Sequence, residues 1–251
     1  MKLGVMQGRL SVPVNGHIQQ FPKNWEQEFD HVKKIGLIGI EWLVTNEHYI
    51  NNPIVCSNAI KTYPVISVCL DNLVDEKIDN FDFLYSVISS CRKTGVKQFT
   101  IPLLENSSME NKKRRDSFCK NINYLSKIFH DCIFSFEAEL GISELDEILS
   151  GSDNFCVTYD TGNTTSYGLD HESYIKHYKS KINNVHLKDR TIDAMTVDPF
   201  TGDTDFALIF KCLKDIKYDG TFVIQTARGK TGDEVQTITK HAKLFKDLYD
   251  V

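Results

Sequence analysis

The sequence has no hydrophobic run long enough to span a membrane and no signal-peptide pattern at its start, so neither a membrane segment nor export is expected. Basic charge is in deficit, with 29 Lys and Arg against 34 Asp and Glu and a net charge of -5. That balance disfavours a nucleic-acid partner, which selects for a basic surface. The seven cysteines (Cys56, Cys69, Cys91, Cys119, Cys132, Cys156 and Cys212) include no close pair such as C-x-x-C. Several fall inside apolar strand or helix patterns, as the small core thiols of a reduced, cytoplasmic protein do. No G-x-G-x-x-G or Walker loop follows any strand-like stretch, which weakens an open nucleotide-binding sheet. Linkers, low-complexity tracts and internal repeats are also missing. The 251 residues, 41% hydrophobic and 25% charged, are enough for one sizeable core.

What is present is an alternation. Leu3–Gln7 reads as a short strand, left through Gly8-Arg9-Leu10 into a polar loop reaching about Lys23. Asn24 is placed to cap a helix whose apolar positions Phe29, Val32 and Ile35 lie three apart, with Gly36 ending it. Leu37–Glu41 is expected as the second strand, with Glu41 at its exit, and Pro64–Leu70 as the third, after a loop and short helix over residues 51–63. Helices are expected over Ile78–Thr94, stopped by Gly95, and over Asn111–His130. Between them Val96–Leu103 is the fourth strand, and Pro102 should keep it from pairing far beyond Ile101. The basic run Lys112-Lys-Arg-Arg115 falls on the second of these helices and reads as its solvated face rather than an anion site. Four further strands end at Glu137, at Asp160, near His186 to Lys188 and at Gln225. Helices capped by Ser143, by Asp170 and by Asp203 or Asp205 separate them, and a closing helix spans about Asp233 to Tyr249. Eight strands alternating with eight helical segments predict an α/β protein, a (β/α)8 TIM barrel forming a single domain over residues 1–251.

Barrels of this kind carry their chemistry at the carboxyl ends of the strands. The polar strand exits are therefore the candidate site. Phe155-Cys-Val-Thr-Tyr-Asp160 runs straight into Thr161-Gly162-Asn163, read as a turn, and a carboxylate there is costly to bury unless paired or bound to a metal. Glu137, Asp160, His186 and Gln225 offer three oxygens and one imidazole nitrogen, a set that suits one divalent ion such as Mn²⁺, Mg²⁺, Co²⁺ or Zn²⁺. An ion chelated by a substrate carbonyl and neighbouring hydroxyl makes the adjacent C–H more acidic. Glu137 and Glu139, on one side of an extended chain, are candidate catalytic carboxylates, and Lys188 is a candidate oxyanion or phosphate partner. Gln7, Arg9, Glu41, Asn163, Arg190 and Arg228 also follow or end strands and are candidate substrate contacts. The ordinary alternatives are a structural His186, an Asx-type turn at Asp160, salt bridges to loop lysines or arginines at Glu41 and Glu139, surface charges at the arginines, and at Asp189 a structural partner or one that steadies a metal ligand.

Four short motifs, Gly36-Leu-Ile-Gly-Ile-Glu41, Tyr159-Asp-Thr-Gly162, Val185-His-Leu-Lys-Asp189 and Gly202-Asp203-Thr-Asp-Phe206, occur in order along nearly the whole chain. In them the chain resembles the sugar phosphate isomerase/epimerase family of the xylose isomerase-like barrel superfamily, which also contains hydroxypyruvate isomerase, inosose dehydratase and endonuclease IV. The resemblance implies a barrel holding a divalent metal through Glu137, Asp160, His186 and the strand-eight residue. It also implies a small-molecule sugar or sugar phosphate as partner, and a homo-oligomer is compatible with it; the net charge argues against nucleic acid, and the lack of a long apolar run against a membrane. Relatives commonly move the proton with the carboxylates of strands five and eight.

Here the eighth strand ends in Gln225, where metal-binding relatives usually have Glu. A Gln carbonyl can ligate a cation but adds no charge and is no base at neutral pH. Gly162-Asn163 likewise stands where epimerases of the family often have His. One-base isomerisation or dehydration of a keto-sugar or inosose is less affected than two-base epimerisation. The expected function is metal-dependent isomerisation or epimerisation beside a carbonyl. The alternatives are a dehydratase, or a catalytically weakened barrel that binds a carbohydrate ligand or partner. An endonuclease IV-like activity ranks low, since its several metals need more strand-end histidines than this chain has.

Overall fold

The computed structural model describes residues 1–13, 23–45, 49–56, 59–71 and 81–251. Parallel strands close into a barrel: β1 (Lys2–Met6), β2 (Ile40–Thr45), β3 (Val65–Asp71), β4 (Gln98–Leu103), β5 (Ile133–Ala138), β6 (Phe155–Asp160) and β7 (Ile182–Leu187). After a small antiparallel hairpin of β8 (Asp189–Arg190) and β9 (Thr196–Val197), β10 (Thr221–Ile224) supplies the eighth barrel strand and pairs with β1. The helices between them include α1 (Glu26–Ile35), α2 (Pro53–Cys56), α3 (Phe81–Arg92), α4 (Lys112–Ile128), α5 (Ile142–Leu149), α6 (Thr161–Ser166), α7 (His171–Tyr178), α8 (Phe206–Asp215) and α9 (Glu234–Tyr249). This is the TIM-barrel arrangement expected from the alternation. Among the described residues no helix is long and apolar enough to cross a membrane. All seven cysteines are free thiols, four of them buried.

Contacts group the chain into two compact units, each with its own apolar seam. In the first, Met1–Glu41 with Thr158–Val251, rings of Phe206, Phe210, Phe222, Phe245 and Tyr249 stack edge-on across α8, β10 and α9. In the second, Trp42–Val157, Phe99, Phe134, Phe136 and Phe155 run across β4, β5 and β6, and Phe118 of α4 meets Phe136. Parallel strands covered on both faces read as continuous apolar runs, and these do.

Helix ends follow side-chain chemistry where a carboxylate or amide is available. Asn111, Asp170 and Asp205 cap α4, α7 and α8 by accepting from the N–H of Arg114, Ser173 and Leu208. Each such cap is worth about 1 kcal/mol. Gly36 closes α1 at φ 73°, a left-handed conformation that glycine adopts without strain.

Several expected boundaries shift. Trp25, not Asn24, is the N-cap of α1, and Gly141, not Ser143, that of α5; neither makes a side-chain cap bond. The second strand begins at Ile40 and runs on to Thr45, so Glu41 lies inside it rather than at its exit. The β4–β5 register continues through Pro102↔Glu137 to Leu103↔Ala138. Proline lacks the N–H but keeps its carbonyl and extended φ, so the strand does not stop. Arg115 of the basic run turns inward, with Nε 2.9 Å from Glu147 and Nη1 donating to the Met109 carbonyl. The middle of the loop after β1 (residues 14–22) and the expected start of the third helix at Ile78 lie outside the described residues.

Candidate metal centre

Asp160 ends β6 and caps the helix that follows, where the sequence suggested only a turn. Its Oδ1 accepts from the Asn163 N–H at 2.7 Å, which leaves Oδ2 for other partners. The Lys188 ammonium lies 3.0 Å from that Oδ2, and both side chains are buried. Burial alone would push the Asp160 carboxyl up. The Lys188 charge, the His186 ring and the Asn163 N–H together outweigh it and hold the carboxyl below the usual carboxylate range. Lys188 is fixed at its backbone too: the Thr161 hydroxyl donates to the Lys188 carbonyl at 2.6 Å and accepts from its N–H at 3.0 Å. Gly162 permits this approach, since a Cβ there would stand 3.1 Å from the Cγ atoms of Lys188 and Arg190.

His186, fully buried in β7, presents its two ring nitrogens to two carboxylates. Nδ1 stands 3.9 Å from Asp160 Oδ2, and Nε2 lies 2.8 Å from Glu41 Oε1. Glu41 is itself fully buried and accepts from Asn184 Nδ2 at 2.7 Å, so it sits within the strands rather than on a wall open to substrate. The Thr221 hydroxyl donates to Asn184 Oδ1 at 2.8 Å. One ligand atom each from Glu137, Asp160 and His186 lies within 4.8 Å of the others. Three of the four residues singled out as metal ligands are thus brought together.

The remaining candidates are placed as follows. Gln7, just past β1, is fully buried and its N–H donates to the Glu41 carbonyl. Glu139 is half-buried just beyond β5. Asn163, in α6, accepts from the Lys188 ammonium at 3.5 Å. Arg190 is half-buried and reaches Ser166 Oγ at 3.4 Å, with its buried Nε making no hydrogen bond. Both terminal nitrogens of Arg228 donate to backbone carbonyls of the loop after β1, those of Ser11 and Gly8. Arg9 is buried beside it, and burial together with the neighbouring Arg228 charge pushes its guanidinium down to about 10, against the pull of Glu28. Glu28, buried in α1, accepts from the Gly8 N–H at 2.9 Å, and burial raises its carboxyl. Sequence reasoning missed Asn184, Thr161 and Glu28. The first lies one strand repeat before His186, hence on the same face, and that spacing was the available signal.

The family described as the xylose isomerase-like TIM barrel matches residues 29–248. The chain belongs to that family. No curated protein matches the chain in sequence. Among solved structures, this xylose isomerase-like barrel is similar to D-allulose 3-epimerase from Methylomonas sp. in complex with D-allulose, at 14% identity and TM-score 0.78 over 99% of this chain and 97% of that one. It is also similar to the 3-keto-D-glucoside 4-epimerase YcjR from E. coli, at 15% identity and TM-score 0.72 over 98% and 99%. A third, an IOLI protein with a bound zinc atom, shares 16% identity at TM-score 0.73 over 99% and 98%. At these identities the likeness establishes the fold.

The donors present in this member of the family fit one divalent ion. Ligands held about 2.0–2.5 Å from a common centre lie at most about 4–5 Å apart, and the ligand atoms of Glu137, Asp160 and His186 lie within 4.8 Å of one another. Gln225 Oε1, just beyond β10, is buried with no hydrogen-bond partner. An orphaned buried acceptor of this kind is what a cation satisfies.

Proposed function

We propose that the chain is a divalent-metal-dependent isomerase or epimerase of a sugar or sugar phosphate, moving a proton on the carbon beside a carbonyl. The observation that carries this reading is the buried Glu137, Asp160 and His186 set with the Lys188 ammonium against it. The activities of similar structures, a D-allulose 3-epimerase and a 3-keto-D-glucoside 4-epimerase, support it. Glu137, Asp160 and His186 would hold the ion, with Gln225 as a neutral fourth ligand. Such an ion, when bound, polarises the substrate carbonyl and stabilises charge developing on its oxygen. Lys188 places a second positive charge beside Asp160 and can donate to that oxygen as it gains charge. Glu139, half-buried past β5, is the candidate to take the proton, because a carboxylate spent on a cation is a weak base. Arg228 is committed to carbonyls of the β1 loop, which weighs toward an unphosphorylated sugar, and Arg190 is the better-placed cation for an anionic one.

The deciding experiment is solvent deuterium exchange into a panel of ketoses and ketose phosphates, followed by NMR. Deuterium should enter next to the carbonyl, stop on chelation and resume on adding Mn²⁺ or Zn²⁺. Binding of sugars without any exchange would instead favour a carbohydrate-binding barrel, a reading that Gln225 supports because it removes one carboxylate.

Gln225 yields a separate expectation. Gln225→Glu adds a charge where the amide oxygen now lacks a partner, so divalent-ion affinity should rise on the order of tenfold, as affinity follows ligand charge. Unchanged affinity by calorimetry would mean that Gln225 faces away from the ion.

A further inference from the structure

Behind His186 stands a chain of polar groups, buried except for the half-buried Thr221, that the proton-transfer reading does not use. Thr221 Oγ1 donates to Asn184 Oδ1 at 2.8 Å, Asn184 Nδ2 donates to Glu41 Oε2 at 2.7 Å, and Glu41 Oε1 lies 2.8 Å from His186 Nε2. The order of donors fixes the protons. With the Thr221 hydroxyl on the amide oxygen, the Asn184 NH₂ must face Glu41, and as a carboxylate Glu41 offers each of its two oxygens as an acceptor, one to Asn184 and one to His186. His186 Nε2 therefore carries the ring hydrogen. The opposite tautomer would set a ring lone pair against a carboxylate oxygen at 2.8 Å, with both groups fully buried. Asn184 Nδ2 and His186 Nε2 stand 3.2 Å apart because both converge on this one carboxylate. In a neutral ring with hydrogen on Nε2, the lone pair belongs to Nδ1. Nδ1 is the nitrogen that points toward Asp160 Oδ2, at 3.9 Å.

We infer that Glu41 is a positioning residue of the metal centre, whose carboxylate locks His186 in its Nε2–H form and so turns Nδ1, as a lone pair, to the ion. The substitution that separates this from a merely structural role is Glu41→Gln. Its amide can donate to Nε2, which would move the ring hydrogen to Nδ1 and block ligation. It also loses one of the two acceptor oxygens that Asn184 and His186 share. Asn184→Ala removes only the second anchor and leaves the carboxylate on the ring.

The role rests on the metal reading above, but the tautomer is a property of the metal-free chain and can be read by itself. Two-bond proton–nitrogen NMR of chelator-treated protein, with the pH raised until the spectrum shows a neutral ring, reports the tautomer, with His186→Gln used to assign the signal. The wild type should show the Nε2–H pattern, Asn184→Ala the same pattern, and Glu41→Gln a shift toward Nδ1–H. Calorimetry with Mn²⁺ and with Zn²⁺ should show affinity lower by about 10–100-fold in Glu41→Gln, the usual cost of losing such a partner, and a smaller loss in Asn184→Ala. An Nδ1–H ring in the wild type overturns the inference whether or not the variants fold. So does a Glu41→Gln protein with unchanged tautomer and unchanged metal affinity. An Nε2–H ring in a wild type that binds neither ion would instead overturn the metal reading, and with it the purpose assigned to Glu41.

Discussion

Asp160→Asn should abolish divalent-ion binding while keeping α6 in place. Asparagine caps helices about as well as aspartate, so the oxygen that accepts from the Asn163 N–H is retained. What goes is the charge on Oδ2. Outer-shell partners of metal ligands already cost 10–100-fold when removed, and a charged direct ligand should cost at least about 100-fold. Stability falls as well, because the Lys188 ammonium, 9% exposed, loses the carboxylate 3.0 Å away. Breaking a buried pair from one side costs about 3–5 kcal/mol. Adding Lys188→Met removes the stranded charge, so the double variant should recover most of that stability yet still bind no ion. Urea unfolding of chelator-treated protein and calorimetry with Mn²⁺ check both halves. The pH dependence carries the same signature. The folded carboxyl is held below its ordinary value, so its contribution is present above the unfolded value, about 3.9, and is lost as pH falls through the folded one. That part of the acid limb should disappear in the variant. A double variant no more stable than Asp160→Asn would show that Lys188 finds another partner.

Asp189→Asn should cost about 3 kcal/mol, roughly one lost hydrogen bond to a buried charge. Asp189 is fully buried, and its Oδ2 accepts from the N–H groups of Thr201 and Gly202 at 3.1 and 2.9 Å. Its Oδ1 accepts from the Thr204 N–H at 3.2 Å. An amide has a single oxygen and would turn its NH₂ toward at least one of these donors. The packing leaves no room to adjust, since a Cβ on Gly202 would already stand 2.4 Å from Asp189 Oδ1. Hydrogen exchange should quicken at Thr201, Gly202 and Thr204, and the urea midpoint should drop. An unchanged midpoint would mean that the loop finds other acceptors.

The two carboxylates show how far a one-dimensional reading reaches. Asp160 was legible because a carboxylate after five strand-forming residues has few cheap explanations, and the barrel rule says where it must lie. Asp189 was read only as a structural partner, since three backbone donors arriving from residues 201–204 leave no trace in its local sequence. Glu41 was misplaced for a definable reason. Leu37–Ile40 is apolar enough to be a strand, yet it begins as the connection after Gly36, and the strand itself continues through Trp42, Leu43 and Val44. A polar residue inside a buried strand looks the same in sequence as one at its end. Only the partners Asn184 and His186, more than a hundred residues away, separate the two. Arg228 repeats the lesson for direction: its place in the loop after the eighth strand was legible, but its turn toward Ser11 and Gly8 was not. Asn24 and Ser143 had the right chemistry for caps, but the helices start beside them.

The pairing of β1 with β10, Lys2 opposite Thr221 and Leu3 opposite Phe222, joins the two ends of the chain. The unit that contains this seam is assembled from two separate stretches, Met1–Glu41 and Thr158–Val251. Joining them closes a loop that includes the whole of Trp42–Val157. The equilibrium cost of so long a loop is small, since each doubling of length adds only about 0.6 kcal/mol of closure entropy. The rate is another matter, because contacts distant in sequence form slowly and reward the chain only once made. Until that seam closes, β1 lacks the neighbour that covers one of its edges, and an uncovered parallel strand is a template for pairing with another chain.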